Sequence, residues 1–121
     1  MYNSFVSFLR LIYKFSGNSN KQIDTLIMAT DIIIHDKKDN VGVVVIEKIT
    51  PNQDCSCWIM EDDSSTNIQS VDEIPLGHKI AMIDLNEGDT ILKYGHDIGK
   101  VVKSIKKGQH VHVHNVKTKK W

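Results

Sequence analysis

The sequence predicts an all-β single domain, and three observations carry that prediction. Turn-forming residues recur at the short spacing of an all-β chain. No long amphipathic helical repeat appears after Met28. The apolar residues between the turns are largely β-branched Ile and Val, which suit a pleated, half-buried surface.

Residues 1–27 differ from the rest. Residues 5–15 are apolar with weakly helical spacing, and Ser16-Gly-Asn-Ser-Asn20 breaks the run. Arg10 and Lys14 interrupt it, which is not the order of a secretory signal. A fresh pattern opens at Met28. Residues 1–27 are therefore read as an N-terminal extension, helical or disordered, with Met28 as the expected natural start and 28–121 as the domain.

The elements then follow in order. Ile32–Ile34 is a brief strand closed by Asp36-Lys-Lys-Asp-Asn40, and residues 41–49 form one nearly continuous apolar core strand. Thr50-Pro-Asn-Gln-Asp54 turns the chain, since Pro removes a ladder donor and Asn and Asp favour turns. Residues 55–60 are the next strand, with Cys55, Cys57 and Ile59 on one face and Trp58 and Met60 on the other. After a polar turn at 61–65, residues 66–71 pair back onto it. Residues 74–83 are a loop entering a strand, 85–89 a turn, and 90–94 a strand. Gly95 and Gly99 bracket a tight connection to residues 100–102. A last turn feeds a strand on which His110, His112 and His114 share one face and Val111 and Val113 the other. An internal echo runs through these turns. Ile49, Leu85 and Ile105 each stand three residues before Asn52, Gly88 and Gly108, and each unit feeds a strand. Three copies suggest a barrel-like fold of similar loop–strand units.

A chain of 121 residues, 40% hydrophobic and 25% charged, suits one globular domain. Charge is zero overall but unevenly placed. Residues 28–97 hold five lysines against fourteen acids, and residues 98–121 hold seven lysines and no acid. The basic end argues for a small anionic ligand or an acidic protein surface. A chain neutral overall, with no arginine after Arg10, is a poor phosphate-backbone binder, so nucleic acid is not expected. No apolar run approaches the ~18 residues of a membrane span. Cys55 and Cys57 make neither a disulfide framework nor a four-ligand zinc site, and read as reduced thiols of a cytoplasmic protein.

The sharpest constellation is His110, His112 and His114 beside Asn115 and the terminal lysines. Imidazoles two residues apart on a strand can reach one metal as neutral nitrogen ligands, which makes His112 and His114 the metal candidates. The plain reading is a polar face opposite the core. Gly77-His78-Lys79 and Lys93-Tyr94-Gly95 add basic residues beside glycine bends, and together with the terminal lysines they would make a pocket for small carboxylates or sulfonates. There is no phosphate loop, no dinucleotide fingerprint and no serine-nucleophile motif.

At Gly77-His-Lys-Ile-Ala81, Gly88-Asp-Thr-Ile-Leu-Lys-Tyr-Gly95, Asp97-Ile-Gly-Lys-Val-Val102 and Gly108-Gln-His-Val-His-Val-His-Asn115, the chain resembles a known family over residues 31–121. It is similar to the SAF-domain part of altronate and galactarate dehydratases. Trp58-Ile-Met-Glu61 and Val116-Lys-Thr-Lys-Lys-Trp121 tilt the likeness to the small subunits of sulfolactate sulfo-lyases. Ending at Trp121 matches a free-standing subunit; residues 1–27 have no counterpart. The resemblance implies a β-clip (SAF-like) fold, a large catalytic partner subunit, and Fe2+ on the complex, bound mainly by that partner. It implies elimination of sulfite from 3-sulfolactate to give pyruvate, or the related dehydration of a sugar acid. Within that reading His78, His112 and His114 are the catalytic candidates, Lys79, Lys93 and Lys117 bind the substrate anion, and Asn115 orients substrate. The contrasting expectation is a non-catalytic binding or assembly module whose histidines merely touch a partner.

Overall fold

The computed structural model describes residues 29–118; the N-terminal extension, the expected start at Met28, and Lys119, Lys120 and Trp121 fall outside the described residues. Among the described residues the chain runs through eleven strands: β1 (Ile32–Ile34), β2 (Val41–Val44), β3 (Lys48–Ile49), β4 (Asp54–Ile59), β5 (Ser64–Gln69), β6 (Ile74–Pro75), β7 (Lys79–Ala81), β8 (Thr90–Lys93), β9 (His96–Val101), β10 (His110–Val111) and β11 (Val116–Thr118). The all-β reading holds. Six strands form one sheet in the order β10-β7-β2-β1-β4-β5, three form a second in the order β11-β9-β8, and β3 pairs with β6 alone.

The expected pairing of residues 66–71 onto the preceding strand is present as the β4–β5 hairpin. Strand β1 is flanked on one side by antiparallel β2 and on the other by parallel β4. That central position explains its unbroken Ile32-Ile-Ile34 run, since all three side chains are buried. Cys55 and Cys57 are buried as free thiols, with Ile59 packed against the same cluster. Trp58 faces away from them yet is buried too, and its indole donates to Asp63 Oδ1 at 2.9 Å. Two apolar clusters make up the core. One gathers Ile32, Val44, Ile49, Ile68, Ile74 and Ile80; the other gathers Val41, Leu85, Ile91, Val101, Ile105 and Val111. Each fully buried Ile contributes roughly 1.5–3 kcal/mol of apolar transfer.

Three expected strands are corrected. Residues 41–49 are two strands, because the chain leaves the large sheet after Val44 and pairs Ile49 with Ile74 of β6. Strand β9 begins at His96, because Tyr94 and Gly95 both take positive φ (55° and 72°) and close a two-residue hairpin. Gly99 lies inside β9 instead of bracketing a turn; a Cβ there would meet Val116 Cγ1 at 2.9 Å and Lys117 O at 3.0 Å. The histidine strand ends at Val111, and residues 112–115 form a turn in which Asn115 and Val116 both donate to His112 O. Val113 is consequently 65% exposed instead of lying on a core face.

The echoed turns are real, and there are four. Asn52, Gly88 and Gly108 adopt positive φ, and so does Gly77, three residues after Ile74. The anchors pair with one another, Ile49 with Ile74 and Leu85 with Ile105. In three copies the residue after the positive-φ position caps its own turn. Gln53 Oε1 accepts from Thr50 N at 3.0 Å, Asp89 Oδ2 from Asn86 N at 2.7 Å, and Gln109 Oε1 from Lys106 N at 2.8 Å. In the fourth copy the would-be donor is Pro75, which has no N–H, and the capping position is His78.

Candidate functional site

Pro75 therefore frees the side chain that its sister turns consume. The backbone of His78 is still held, donating to Pro75 O at 3.1 Å and accepting from Val44 N at 2.9 Å. Its imidazole projects from a pinned turn at the mouth of β7.

The facing wall is β10. Strands β10 and β7 run antiparallel with His110 opposite Ile80 and Val111 opposite Lys79, so the same register sets His112 opposite His78. The rings of His78 and His112 are stacked, with centroids 4.1 Å apart at 25°. His78 Nδ1 lies 2.8 Å from His110 Nε2. The nitrogens of His78, His110 and His112 converge within 4.8 Å of one another. His114 stands outside this set, exposed, with its ring centroid 5.1 Å from that of His110.

Asn115 works beneath the rings. Its side chain is buried; Oδ1 accepts from His112 N at 2.9 Å and Nδ2 donates to His110 O at 2.7 Å. Both ends of the amide are thus committed to the backbone that presents the histidines, which makes Asn115 a positioning residue in this structure. Asp72 Oδ2 accepts from His110 N at 2.9 Å and fixes the entry to β10.

The charges around the histidines are those of lysines and of the rings themselves, opposed at His110 by Asp72. Burial, then the fields of His78, His114 and His112, hold His110 down at about 4 despite the opposing Asp72 carboxylate. His112 is lowered by burial first, then by His78, Lys79 and His114. Lys79 is half-buried and lowered by burial and by Lys93. Lys93 is lowered by burial and partly restored by Asp39. Lys93, Lys79 and His112 thus share one field, although β8 and β10 lie in different sheets.

Lys93 is aimed by an acid and an amide at the end of the 36–40 turn. Buried Asp39 accepts from Tyr94 N at 2.9 Å and Gly95 N at 2.8 Å; Asn40 Oδ1 accepts from Leu92 N at 2.9 Å while its Nδ2 donates to Thr90 O at 2.8 Å. His35 packs on Tyr94 with ring centroids 3.9 Å apart and tilted by 34°, its Nε2 is buried without a hydrogen-bond partner, and burial with the Lys93 charge pushes it down to about 4.

Of the expected residues, the structure brings His78 and His112 together beside Lys79, and the charge of Lys93 reaches Lys79. His110, absent from the expected catalytic set, belongs at the centre, and its signal lay in the histidine row itself. Lys117 is exposed and faces Lys100 across the β9–β11 pair, in the second sheet. Asp39, Asn40 and His35 carried no signal at all, because their roles depend on contacts across more than fifty residues or on burial. Two shallow concavities, one bordered by Asn52, Gln69 and Lys107 and the other by Glu87 and Lys100, include none of the histidines.

The altronate/galactarate dehydratase SAF domain matches residues 30–119 of the chain. The chain is 50% identical over 94 residues to the (2R)-sulfolactate sulfo-lyase subunit alpha of Chromohalobacter salexigens, covering 78% of this chain and 100% of that protein. It is 46% identical over 65 residues to the subunit of the same name from Paracoccus pantotrophus, covering 54% and 97%. It is 37% identical over 91 residues to the altronate dehydratase of Bacillus subtilis, covering 75% of this chain and 17% of that protein.

Proposed function

The chain belongs to the altronate/galactarate dehydratase SAF-domain family, and on that premise we propose that it is the small subunit of a lyase that expels sulfite from 3-sulfolactate and leaves pyruvate. The observation that carries this reading is the convergence of His78, His110 and His112 beside half-buried Lys79. It occurs in a chain 50% identical to a sulfo-lyase alpha subunit over that protein's whole length. A subunit so named has a partner, and a large catalytic subunit is the one that completes the site. Among the described residues, no helix is long and apolar enough to cross a membrane. Two buried free thiols suit a reducing compartment, so a cytoplasmic location is part of the proposal.

The substrate is a small dianion, with a carboxylate at one end and a sulfonate at the other. Lys79 and Lys93 supply cationic ends to hold it. A base then takes the proton from the carbon bearing the hydroxyl. Its electron pair forms the carbon–carbon double bond, and the neighbouring carbon–sulfur bond breaks with its pair departing on sulfite. The enolpyruvate left behind ketonises, taking up a proton at carbon and giving up the proton of its hydroxyl. His78 and His112, stacked at the rim, either carry protons at this step or hold the ion, with exposed His114 as the outward relay. Asn115 keeps His110 and His112 in register for it. Three neutral imidazole nitrogens within 4.8 Å fit a first-row divalent ion such as Fe2+. Bound to the complex, that ion supplies a Lewis acid for the enediolate-like charge.

The sugar-acid reading uses the same proton removal with hydroxide as the leaving group. It rests on the altronate dehydratase relatives, of which this chain matches a small part. The deciding experiment is to co-purify the chain with its large subunit and supply 3-sulfolactate, altronate and galactarate with Fe2+. Equal yields of sulfite and pyruvate from sulfolactate are expected; water loss from a sugar acid without sulfite release would overturn the assignment.

A further inference from the structure

We propose that the metal ligands of the complex lie on this small chain, as a three-imidazole site formed by His78, His110 and His112. The inference deepens the lyase reading by moving the ion from the partner, where family resemblance puts it, to the rim described above.

The geometry carries it. An ion held at about 2.1 Å by imidazole nitrogens keeps neighbouring ligand atoms roughly 3.0 Å apart if octahedral and roughly 3.4 Å if tetrahedral. His78 Nδ1 and His110 Nε2 are already 2.8 Å apart, the span of two adjacent ligands. The largest separation in the set is no more than 4.8 Å, so the remaining ligand closes by a ring rotation of order 1 Å. His112 is suited to make that movement, because it opens the 112–115 turn beyond the end of β10.

The backbone is prepared as a ligand scaffold. Each histidine is anchored: His78 by its bonds to Pro75 and Val44, His110 by Asp72 and Asn115, and His112 by Asn115. Pro75 is the local departure that makes the first ligand available, since its sister turns use the corresponding side chain as a cap. No acid joins the three nitrogens in the convergent set. Three neutral donors leave the full ionic charge uncompensated and leave coordination positions open. A site of that kind takes a borderline divalent ion of the first row, and its spare positions accept oxygen from a hydroxy-carboxylate or from a partner's side chain.

The test uses the purified full chain, freed of metal and titrated with Co2+, then anaerobically with Fe2+. One saturable equivalent, visible Co2+ d–d absorption and a rise in the unfolding midpoint are expected. His78→Gln, His110→Gln and His112→Gln each weaken binding by more than the roughly 10–100-fold typical of losing an outer-sphere partner. His114→Gln and His96→Gln leave it within about twofold. Circular dichroism separates folded variants from unfolded ones, and the wild-type stoichiometry alone decides the case if a variant does not fold. Absence of saturable binding to the wild-type chain, or equal weakening by His114→Gln, would overturn the site. A complex that releases sulfite while its iron stays with the large subunit sinks this inference and spares the function; a small chain that binds metal in a complex without sulfite release does the reverse.

Discussion

His78 Nδ1 lies 2.8 Å from His110 Nε2, across 32 residues of chain. At that separation one ring donates and the other accepts, and burial, followed by the field of His78, disfavours the charged form of His110. Nuclear magnetic resonance of the metal-free chain should find His110 neutral through the mildly acidic range, protonating only near 4. Protonation near 6.5 would mean that His110 is not buried against His78 in solution as it is in the structure.

Acid stability follows from the same kind of shift at a second place. His35 is pushed down to about 4 by burial and by Lys93, with Asp39 opposing. Its folded value lies below the unfolded one, so the neutral form stabilises the fold above about 6.5, and that contribution is lost as pH falls toward 4. The ring is partly solvated, which discounts the effect to the order of 1 kcal/mol. His35→Phe keeps the ring contact with Tyr94 and removes the unpartnered Nε2. Its unfolding free energy should depend less on pH between 6.5 and 4; an unchanged slope would count against the burial of His35.

Asn115 is expected to matter without touching substrate. Asn115→Leu strands His112 N–H and His110 C=O, at about 1–3 kcal/mol for each buried group left unpaired. Asn115→Asp retains the acceptor and should recover part of the loss. Thermal unfolding and turnover of the complex should fall together in the order wild type, Asp, Leu. A Leu variant with native stability would remove the clamp from the account.

Two glycines in sister turns separate backbone strain from crowding. Gly88 and Gly108 share positive φ (95° and 90°), but a Cβ on Gly88 meets nothing within 4 Å, whereas one on Gly108 runs into Gln69 O and Val71. Gly88→Ala should cost about 1–2 kcal/mol, the ordinary left-handed penalty. Gly108→Ala adds a backbone clash and should lose several kcal/mol or fail to fold. Denaturant unfolding decides, and equal losses would refute the close approach of the 105–109 turn to β5.

Lys93→Met preserves the aliphatic stem and removes the cation beside Tyr94. A charged hydrogen bond to substrate is worth about 1.5–3 kcal/mol, so KM for sulfolactate in the complex should rise roughly 10–100-fold with a smaller change in kcat. Asp39→Asn, which disturbs the Tyr94 and Gly95 N–H bonds that aim Lys93, should show a milder version of the same pattern together with lower stability. A change in kcat alone would place Lys93 away from the bound anion.

The β-branched runs and glycine turns determined, from local chemistry alone, that this is an all-β chain, where β1 lies, that β4 and β5 pair, and that a repeated turn recurs. The histidine row, the Gly77-His78-Lys79 step and the Lys93 bend were equally legible, because motif spacing is a local property. Only the tertiary structure decided which of these meet. The antiparallel register of β7 and β10 sets His112 opposite His78, and a shift of one residue would have sent it to the other face. It also revealed that Pro75 spares the His78 side chain from capping its own turn, added His110 to the converging rings, and turned Asn115 inward as a clamp. Register, burial and long-range hydrogen bonds depend on partners distant in sequence, and a site built from them becomes visible only when the sheets have closed.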